Sequence, residues 1–469
     1  MKIYSKRSGF NADLHTPVEI YLRVRNSYRK TCLMESNDFH SREDSKSFIG
    51  LDPLVELIQI QDELTVRKGS ETRTRHLPQK TISTEFQKVL DEYSFEDETD
   101  FNGFFGRIGF EITGVEETGN STSESARLPL LQLFLYRYVI VLDHFTNEGY
   151  LIENSLDQTF EGKTLEQILD AHTGTQVPFE LLGKENAQYT DQEFLQMVNK
   201  SIDHCKRGDV FQLVISNEFK QQYCGDDFEV YRALRRTSPS PYLFYFDFES
   251  YRLFGSSPEA QLVVSNGKCE IHPIAGTVPK TGVEATDNIQ LEFLISDEKE
   301  NAEHTMLVDL ARNDLSRLCS NVRVERFKQV QHFSHVIHLV SKVTGQLNEA
   351  NNFATLCSTF PAGTLSGTPK PKALELIHKI ETRTRDYYGG AIGMITPNNA
   401  LNMCIVIRSI MSMDNTLHYR AGAGVVIDST PEREVQEVHH KLNSVRKAIM
   451  KAENENQPIK QVSYAYHSH

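Results

Sequence analysis

The chain of 469 residues contains no tryptophan, and several patterns that mark other classes of protein are missing too. Its seven cysteines are scattered without a C-x-x-C pair, so neither a disulfide framework nor a zinc site is indicated, and we expect reduced, mostly buried thiols. No apolar run reaches the length of a membrane span, and the first residues lack the apolar core of a signal peptide; we therefore expect a cytoplasmic protein. The net charge of -14 disfavours nucleic acid or an anionic membrane as the main partner.

The remaining composition is that of a folded protein, with 39% hydrophobic and 24% charged residues. Two pairs of glutamates stand out, Glu300/Glu303 and Glu434/Glu437, each with the spacing E-x-x-E in a stretch that reads as a helix. This spacing places both carboxylates on one helix face. If the two faces meet, the crowded carboxylates need a cation, and Mg²⁺ is the hard ion that prefers oxygen. The alternative is that these acids only cap two helix N-termini, beginning at Asp297 and near Ser429.

Periodicity predicts several elements along the chain. Residues 128–142 predict a buried strand, and the polar residues 67–80 predict an exposed loop. Asn266-Gly267 predicts a hairpin between two short strands. Further helices and strands are predicted at residues 194–207, 210–216, 297–317, 371–380, 391–396, 401–409, 417–427 and 431–452. Strands grouped among helices indicate an α+β fold with antiparallel or mixed sheets.

Glycine-centred segments lie near several of the predicted strand ends: PIAGT at 273–277, GTLSGTPK at 363–370 and AGAG at 421–424. Glycine lets backbone amides approach a ligand, and residues 363–370 lead into a helix N-terminus, which favours anions. Taken singly, each segment is more often a tight turn.

Together these segments carry a resemblance. PIAGT, AEHTMLVDLARNDL, HLVSKVTG, GTLSGTPK, YYGGAIG, CIVIRS and AGAGVVIDS follow one another in the order and spacing of the chorismate-utilising enzymes. The chain most closely resembles their anthranilate synthase component I branch. The resemblance implies two interleaved β-sheet layers flanked by helices, an N-terminal region at residues 1–153 and a catalytic region at 190–452.

The implied activity is a Mg²⁺-dependent lyase reaction of tryptophan biosynthesis, in which chorismate and ammonia give anthranilate and pyruvate. A separate glutamine amidotransferase would supply the ammonia. On this resemblance Glu300, Glu303, Glu434 and Glu437 are the metal ligands, with Glu303 and Glu437 the firmest. Glu259 is the acid for the leaving hydroxyl, and His338 transfers a proton at the ring. Substrate-binding positions are Gly276, Thr277, Thr364, Tyr388, Arg408, Gly422, Ala423, Gly424 and Lys441.

Two positions separate branches of this family. Aminodeoxychorismate synthases carry a nucleophilic lysine where this chain has Ala275, and branches that add water carry a lysine base where it has Gln212. Neither alanine nor glutamine has that chemistry, which favours an amine as the nucleophile. Aminodeoxychorismate synthase is the nearest alternative, and a non-catalytic regulator that binds chorismate or tryptophan is another.

A feedback site for tryptophan is implied by the same resemblance. The segment Leu33-Met34-Glu35-Ser36 is similar to the family's LLES motif, and residues 238–243 would form a second wall. The predicted tryptophan-binding residues are Glu35, Ser36, Pro239, Pro241, Tyr242 and Leu243. Departures from the family pattern in these segments leave the sensitivity to tryptophan open.

Overall fold

The computed structural model describes residues 1–36, 45–96, 101–112, 126–170, 177–332, 336–348, 352–396 and 400–455. The N-terminal strands are β1 (Lys2–Asn11), β2 (Cys32–Ser36), β3 (Lys46–Ile60), β4 (Glu63–Lys68), β5 (Glu71–His76), β6 (Ser94–Phe95), β7 (Phe104–Ile108), β8 (Leu131–Asp143) and β9 (Glu148–Ser155). The central strands are β10 (Glu180–Ala187), β11 (Gln212–Cys224), β12 (Tyr242–Asp247), β13 (Arg252–Ser257), β14 (Ala260–Ser265), β15 (Lys268–Ile271), β16 (Ile274–Pro279), β17 (Cys319–His332) and β18 (Val336–Leu347). The last strands are β19 (Gly367–Thr368), β20 (Ala391–Ile395), β21 (Leu401–Ile405), β22 (Ser409–Met413) and β23 (Thr416–Val425).

Apart from two short strands, β6, which pairs in parallel with β1, and β19, which pairs with β11, these strands form two layers of antiparallel sheet. The first layer has the order β1, β9, β8, β3, β2, β12, β13, β22, β23, β11, β10. The second has the order β5, β4, β3, β8, β7, β20, β21, β14, β15, β18, with β16 and β17 also paired to β18. The long strands β3 and β8 therefore belong to both layers.

The passage of β3 from one layer to the other is marked in its backbone. Asp52 has a φ of 57°, and the register with β8 shifts between Pro53 and Val55. Proline has no amide hydrogen to give to a neighbouring strand, so it is tolerated at such an irregularity. Arg137 on β8 holds the bend through an ion pair with Asp52, with 2.8 Å between Nε and Oδ2.

Helices cover the outer faces of both layers. They are Pro17–Val24, Ile82–Asp91, Leu165–Leu169, Asp191–Arg207, Phe228–Thr237, Glu284–Ser296, Glu298–Ser316, Asn352–Thr359, Lys370–Ile380 and Pro431–Glu455. Asp191–Arg207, Phe228–Thr237 and Pro431–Glu455 pack on the first layer, while Ile82–Asp91, Glu298–Ser316 and Asn352–Thr359 pack on the second. No helix in the described ranges combines the length and the apolar character that crossing a bilayer requires.

A third apolar cluster lies between the layers. It combines first-layer side chains such as Phe244 and Met411 with second-layer side chains such as Phe105 and Ile392. Buried apolar area of this extent is the main source of stability in such a fold. The predicted α+β fold of two sheet layers flanked by helices is confirmed.

Most predicted elements are present, and two predictions are wrong. Residues 67–80 do not form a loop: β4 and β5 make an exposed hairpin, because backbone pairing needs no apolar face. Residues 401–409 do not form one strand: β21 ends at Ile405, and β22, which was not predicted, begins at Ser409. Asn266 and Gly267 have positive φ angles in the predicted hairpin turn. The division into regions at 1–153 and 190–452 stays a prediction, and strands from both regions pair with each other.

Candidate active site

Glu259 lies where the chain passes from β13 in the first layer to β14 in the second. Its carbonyl accepts a hydrogen bond from the Ile405 amide at 3.0 Å, which fixes the backbone of this short connection. The Thr364 hydroxyl lies 3.4 Å from its carboxyl oxygen Oε1. Burial raises the pKa of Glu259 to about 8, although the Thr364 hydroxyl and the charges of Arg408 and Lys441 act against this rise. The group is therefore protonated at neutral pH and can act as an acid.

Arg408 occupies the opposite connection, from β21 back to β22. Its φ of 48° is uncommon for a residue with a side chain, and its carbonyl accepts a hydrogen bond from the Ser256 amide at 3.1 Å. Burial lowers the pKa of Arg408, and nearby Glu259 opposes that effect. Among the residues described, its guanidinium makes no hydrogen bond or ion pair. A largely buried guanidinium without a partner is suited to bind a carboxylate.

His338 on β18 is 3% exposed and lies near Arg408. Its Nδ1 lies 3.3 Å from the carbonyl oxygen of Gly276. Because a carbonyl only accepts, Nδ1 carries the hydrogen and Nε2 keeps its lone pair. Burial, with a smaller contribution from the charge of Arg408, lowers the pKa of His338 to about 4, although the hydrogen bond to the Gly276 carbonyl acts against this. The ring is thus neutral at physiological pH and can accept a proton.

Gly276 connects His338 to the first glutamate pair. It has a φ of 71° and lies at a register shift between β16 and β18. A Cβ atom here would lie 2.5 Å from Leu294 Cδ1 and 3.4 Å from Glu300 Oε2. Glycine therefore lets the strand approach the beginning of the Glu298–Ser316 helix. Asp297 caps that helix by accepting from the Glu300 amide at 2.9 Å, so the predicted cap is present beside the predicted site.

Gln212 links the second glutamate of that helix to the glycines of β23. Its Nε2 donates to Glu303 Oε1 at 3.4 Å. A Cβ atom on Gly424 would lie 2.7 Å from the same Nε2, so only glycine leaves room for this amide. Gly422 and Gly424 lie inside β23, paired with Ser216 and Val214 of β11. The segment 421–424 is therefore strand rather than turn, with Ala423 fully buried.

Lys441 links Glu437 of the second glutamate pair to Gly422 on β23. Its ammonium contacts Glu437 at 2.7 Å and donates to the carbonyl of Gly422 at 3.0 Å. Burial would lower the pKa of Lys441, but Glu437, with smaller contributions from Tyr388 and Glu303, raises it. Both glutamate helices thus approach one lysine, which stays charged.

The four glutamates have suitable donor atoms for a metal ion, but their side chains are not oriented to bind one together. They supply only oxygen donors, with Glu434 5% exposed, and this donor set fits a hard cation. As the side chains are oriented, no three His, Cys, Asp or Glu residues within the described ranges lie close enough to hold an ion. A cation here would have to replace Lys441 at Glu437. The Mg²⁺ site stays a prediction.

Comparison with known proteins agrees with this geometry. A model of the chorismate binding enzyme family matches residues 32–447. The chain is 34% identical over 467 residues to anthranilate synthase component 1 of Acetivibrio thermocellus, covering 94% of each chain. It is 32% identical to the protein of that name from Aquifex aeolicus, covering 94% of this chain and 93% of the relative.

This chain belongs to the chorismate-binding enzyme family.

Solved structures extend the likeness to the whole fold. Anthranilate synthase component I from Streptococcus pneumoniae superposes with a TM-score of 0.75 at 29% identity, covering 93% of this chain and 98% of that one. The menaquinone-specific isochorismate synthase of Escherichia coli gives a TM-score of 0.74 at 18% identity, covering 95% and 94%, a likeness that concerns the fold alone. The predicted family is confirmed.

The remaining predicted substrate residues of this chorismate-binding enzyme lie beside Glu259, Gly422 or His338. Thr364 lies in the short 3-10 turn Gly363–Leu365 and contacts Glu259. Tyr388 is 5% exposed, and a Cβ atom on Gly422 would lie 3.2 Å from its hydroxyl. Thr277 pairs with His338 across the sheet, but its side chain lies outside what the structure describes.

Apart from the site described so far, a cavity of about 750 Å³ lies between the two layers. Five of the predicted tryptophan residues line it: Glu35, Ser36, Pro241, Tyr242 and Leu243. Pro239 is not part of this lining. The Glu35 carboxylate accepts from the Tyr231 hydroxyl at 2.6 Å and from Arg235 Nε at 2.8 Å, so it is held in place. The pairing of β2 with β12 aligns Ser36 with Tyr242 and Glu35 with Leu243.

Sequence reasoning missed the buried ion pairs that support the site. Arg385 donates to the carbonyls of Leu365 at 2.6 Å and Val214 at 2.8 Å, and it pairs with Glu381. Its guanidinium lies 6.0 Å from the ring of Tyr388. Lys370, the last residue of the segment GTLSGTPK, was not predicted to have a role, but it is 2% exposed. The available signal for the Arg385–Glu381 pair was the i, i+4 spacing of these residues in the segment E-T-R-T-R-D before Y-Y-G-G.

Proposed function

We propose that this chain is an anthranilate synthase component 1, a lyase that converts chorismate and ammonia to anthranilate and pyruvate. The observation that carries the proposal is the guanidinium of Arg408, which has no partner within the described ranges and lies with a protonated carboxyl at Glu259 and a neutral imidazole at His338. This set can bind an anion, protonate a leaving group and accept a proton. The proposal is further supported by relatives of that name at 32 to 34% identity over nearly the full chain.

Chorismate carries two carboxylates, and the site offers two places for them. Arg408 can bind the enolpyruvyl carboxylate through two parallel hydrogen bonds, with Tyr388 and the Gly422 to Gly424 segment beside it. The ring carboxylate would lie toward the four glutamates, where its charge needs a cation. Glu300, Glu303, Glu434 and Glu437 would hold Mg²⁺, which supplies that positive charge when bound.

The acid and the base follow from the two displaced pKa values. Glu259 donates its proton to the ring hydroxyl as the carbon–oxygen bond breaks, because hydroxide alone is a poor leaving group. Neutral His338 then accepts the ring proton as pyruvate is lost. Both groups hold the protonation state that their step requires at neutral pH.

Gln212 and Ala275 support ammonia as the nucleophile. The Gln212 amide is 3% exposed and donates to Glu303, and it cannot deprotonate water. Ala275 offers no amine for a covalent intermediate. A glutamine amidotransferase partner would deliver the ammonia, and a free ammonium salt should replace it in vitro.

Tryptophan is the proposed feedback ligand of the cavity between the layers. The cavity shares walls with the active site: Pro258 and Ala260 line the cavity on either side of Glu259, and Ile274 does so two residues before Gly276. A ligand there would press on the backbone that positions the acid. Replacing Ser36 by leucine should fill the cavity and relieve inhibition while the uninhibited rate is kept, and Ser70→Leu, in the exposed β4–β5 turn, serves as the control.

One assay tests the main proposal. Purified chain, chorismate, Mg²⁺ and an ammonium salt are combined, and anthranilate fluorescence is followed. Because the chain has no tryptophan, the background from protein is low. Chorismate consumed without anthranilate, with an amino-substituted chorismate identified by chromatography, would instead indicate aminodeoxychorismate synthase.

A further inference from the structure

A small cavity of about 30 Å³ lies behind Glu259, on the side of the Glu298–Ser316 helix. Its lining includes Glu259, Gln261, Asp314 and Thr364, together with apolar side chains of that helix. A cavity of this volume holds about one water molecule, provided that polar groups line it. Neither the Arg408 end of the site nor the glutamate pairs contribute to it.

The backbone aims Gln261 into this cavity. The register between β14 and β21 shifts between Ala260 and Leu262, which places Gln261 at a bulge. Bulges of this kind redirect one side chain out of the regular alternation of a strand and are common beside active sites. Gln261 is 2% exposed, so its side chain points into protein rather than solvent.

The orientation of the Gln261 amide is fixed by one carbonyl. Its Nε2 donates to the Thr359 carbonyl at 3.2 Å, and Lys370 Nζ donates to that carbonyl at 2.9 Å. A carbonyl only accepts, so the nitrogen must face Thr359 and Oε1 must face the other way. Oε1 is buried and has no hydrogen-bond partner within the part of the chain that the structure describes. A buried acceptor left without a donor destabilises the folded protein, so this oxygen calls for a donor.

The Asp314 carboxylate, 4% exposed, adds a second acceptor to the lining. It is held by Lys370 at 2.7 Å between Oδ2 and Nζ, and Lys370 in turn is fixed at Thr359. The polar wall is therefore rigid and rich in acceptors. A small molecule that donates two hydrogen bonds fits it.

We propose that this cavity is a water site behind the acid, where a water held by Gln261 Oε1 donates its second hydrogen to Glu259 and stabilises the carboxylate that forms when the substrate hydroxyl leaves. The inference rests on the proposed function. In the step, the ammonia nitrogen bonds to the ring carbon next to the carboxylate-bearing one, a ring double bond shifts, and the carbon–oxygen bond breaks with its electron pair kept on oxygen, which takes the Glu259 proton. The products are the ring with an ammonium group, water and the Glu259 carboxylate; the ammonium group then loses one proton to solvent, and solvent returns one to Glu259. Gln261 is a positioning residue, since it acts on the reaction through the water.

A crystal structure of the full chain at high resolution tests the site without any assay. We expect an ordered water within hydrogen-bond distance of both Gln261 Oε1 and the Glu259 carboxyl group. A dry cavity would overturn the proposal even if the chain makes anthranilate. This readout also stays decisive if the wild-type chain makes none, which would be a failure of the proposed function instead.

The kinetic test replaces Gln261 by methionine, which has similar volume and no acceptor of comparable strength. We expect kcat with chorismate and ammonium to fall roughly 2- to 10-fold, as for the loss of one neutral hydrogen bond, with KM for chorismate unchanged. Gln59→Met is the matched control, because Gln59 is also fully buried with an unpartnered Oε1 but lies on β3 away from Glu259. An unchanged kcat in Gln261→Met, or an equal fall in Gln59→Met, would overturn the role in the reaction.

Discussion

Glu259 and His338 are both uncharged at neutral pH, although one is an acid and the other a base. Burial is the main cause in each case: it raises the pKa of the carboxyl group to about 8 and lowers that of the imidazole to about 4. Arg408 lies near both and remains the charged group of the three. The site thus keeps its positive charge for the substrate and its proton on the acid.

The pH dependence of the rate should report Glu259. As the pH rises through about 8 the carboxyl group loses its proton, so the rate should fall when the concentration of unprotonated ammonia is held constant at each pH. Glu259→Gln cannot donate a proton and should lower kcat roughly 100- to 10,000-fold. A pH profile of the wild-type chain without a fall near 8 would contradict this assignment.

Gly276 gives a prediction that separates backbone strain from contact with the site. Gly276→Ala must take a positive φ and also place its Cβ against Leu294 and Glu300, while Gly282→Ala has a φ of 81° with no atom within 4 Å. Both variants should lose roughly 1 kcal/mol of stability from strain. Only Gly276→Ala should also lower kcat/KM for chorismate. Equal kinetics in the two variants would show that the close approach at Gly276 has no part in catalysis.

At the scale of single residues, the sequence predicted which side chains form the site better than it predicted the backbone conformation around them. Motif position pointed to Glu259, Arg408 and His338, and the structure brings them together. The bulge at Gln261 could not be predicted, because a one-residue shift in register depends on the partner strand rather than on local residues. The positive φ of Arg408 depends in the same way on the connection between two layers.

Among the elements, the Pro431–Glu455 helix carries the largest share of charge into the site. Its apolar face, including Val438 and Leu442, packs on the first layer, so its position is set by burial. Glu437 and Lys441 lie one turn apart on it and form an ion pair at 2.7 Å. The helix therefore places a carboxylate and an ammonium group side by side in the site.

Glu437→Ala should separate metal binding from folding. If Glu437 is a Mg²⁺ ligand, the variant should bind Mg²⁺ more weakly by calorimetry and lose most of its activity, while its melting temperature stays close to that of the wild type. Glu432→Ala, an exposed position on the same helix, is the control and should behave as the wild type. Unchanged Mg²⁺ affinity in Glu437→Ala would refute the assignment.

Helices were predicted more closely than strand connections. The Pro431–Glu455 and Asp191–Arg207 helices begin and end within a few residues of the predicted bounds, because caps and apolar periodicity are local signals. β22 was missed because apolar residues continue past the end of β21 at Val406 and Ile407, so the sequence does not mark where that strand ends. Only pairing with β13 and β23 shows where one strand ends and the next begins.

The whole molecule is held together by pairings between distant parts of the sequence. β2 from the N-terminal region pairs with β12, and β7 pairs with β20. The connections that carry Glu259 and Arg408 both cross between the resulting layers. The fold of the site therefore depends on strands that lie far from it along the chain.

Division of the chain should test this dependence. Residues 190–452 expressed alone would leave one edge of β12 and one edge of β20 unpaired, because β2 and β7 are missing, so we expect a fragment that aggregates or lacks a cooperative thermal transition. Coexpression with residues 1–153 should recover folded material. A cooperative transition in circular dichroism of the isolated 190–452 fragment would show that it is an independent domain.

The bend in β3 at Asp52 to Leu54 has a mechanical consequence. Because β3 and β8 run through both layers, the layers cannot part as two separate bodies when something enters between them. Any opening would have to bend β3 and β8 themselves, and the irregular backbone at Asp52 to Leu54, beside the Asp52 to Arg137 ion pair, is where we expect the bending. We expect Arg137→Ala, which removes this ion pair and touches no cavity residue, to change the rate of ligand entry by no more than about 5-fold, because an ion pair this exposed contributes about 0 to 1 kcal/mol.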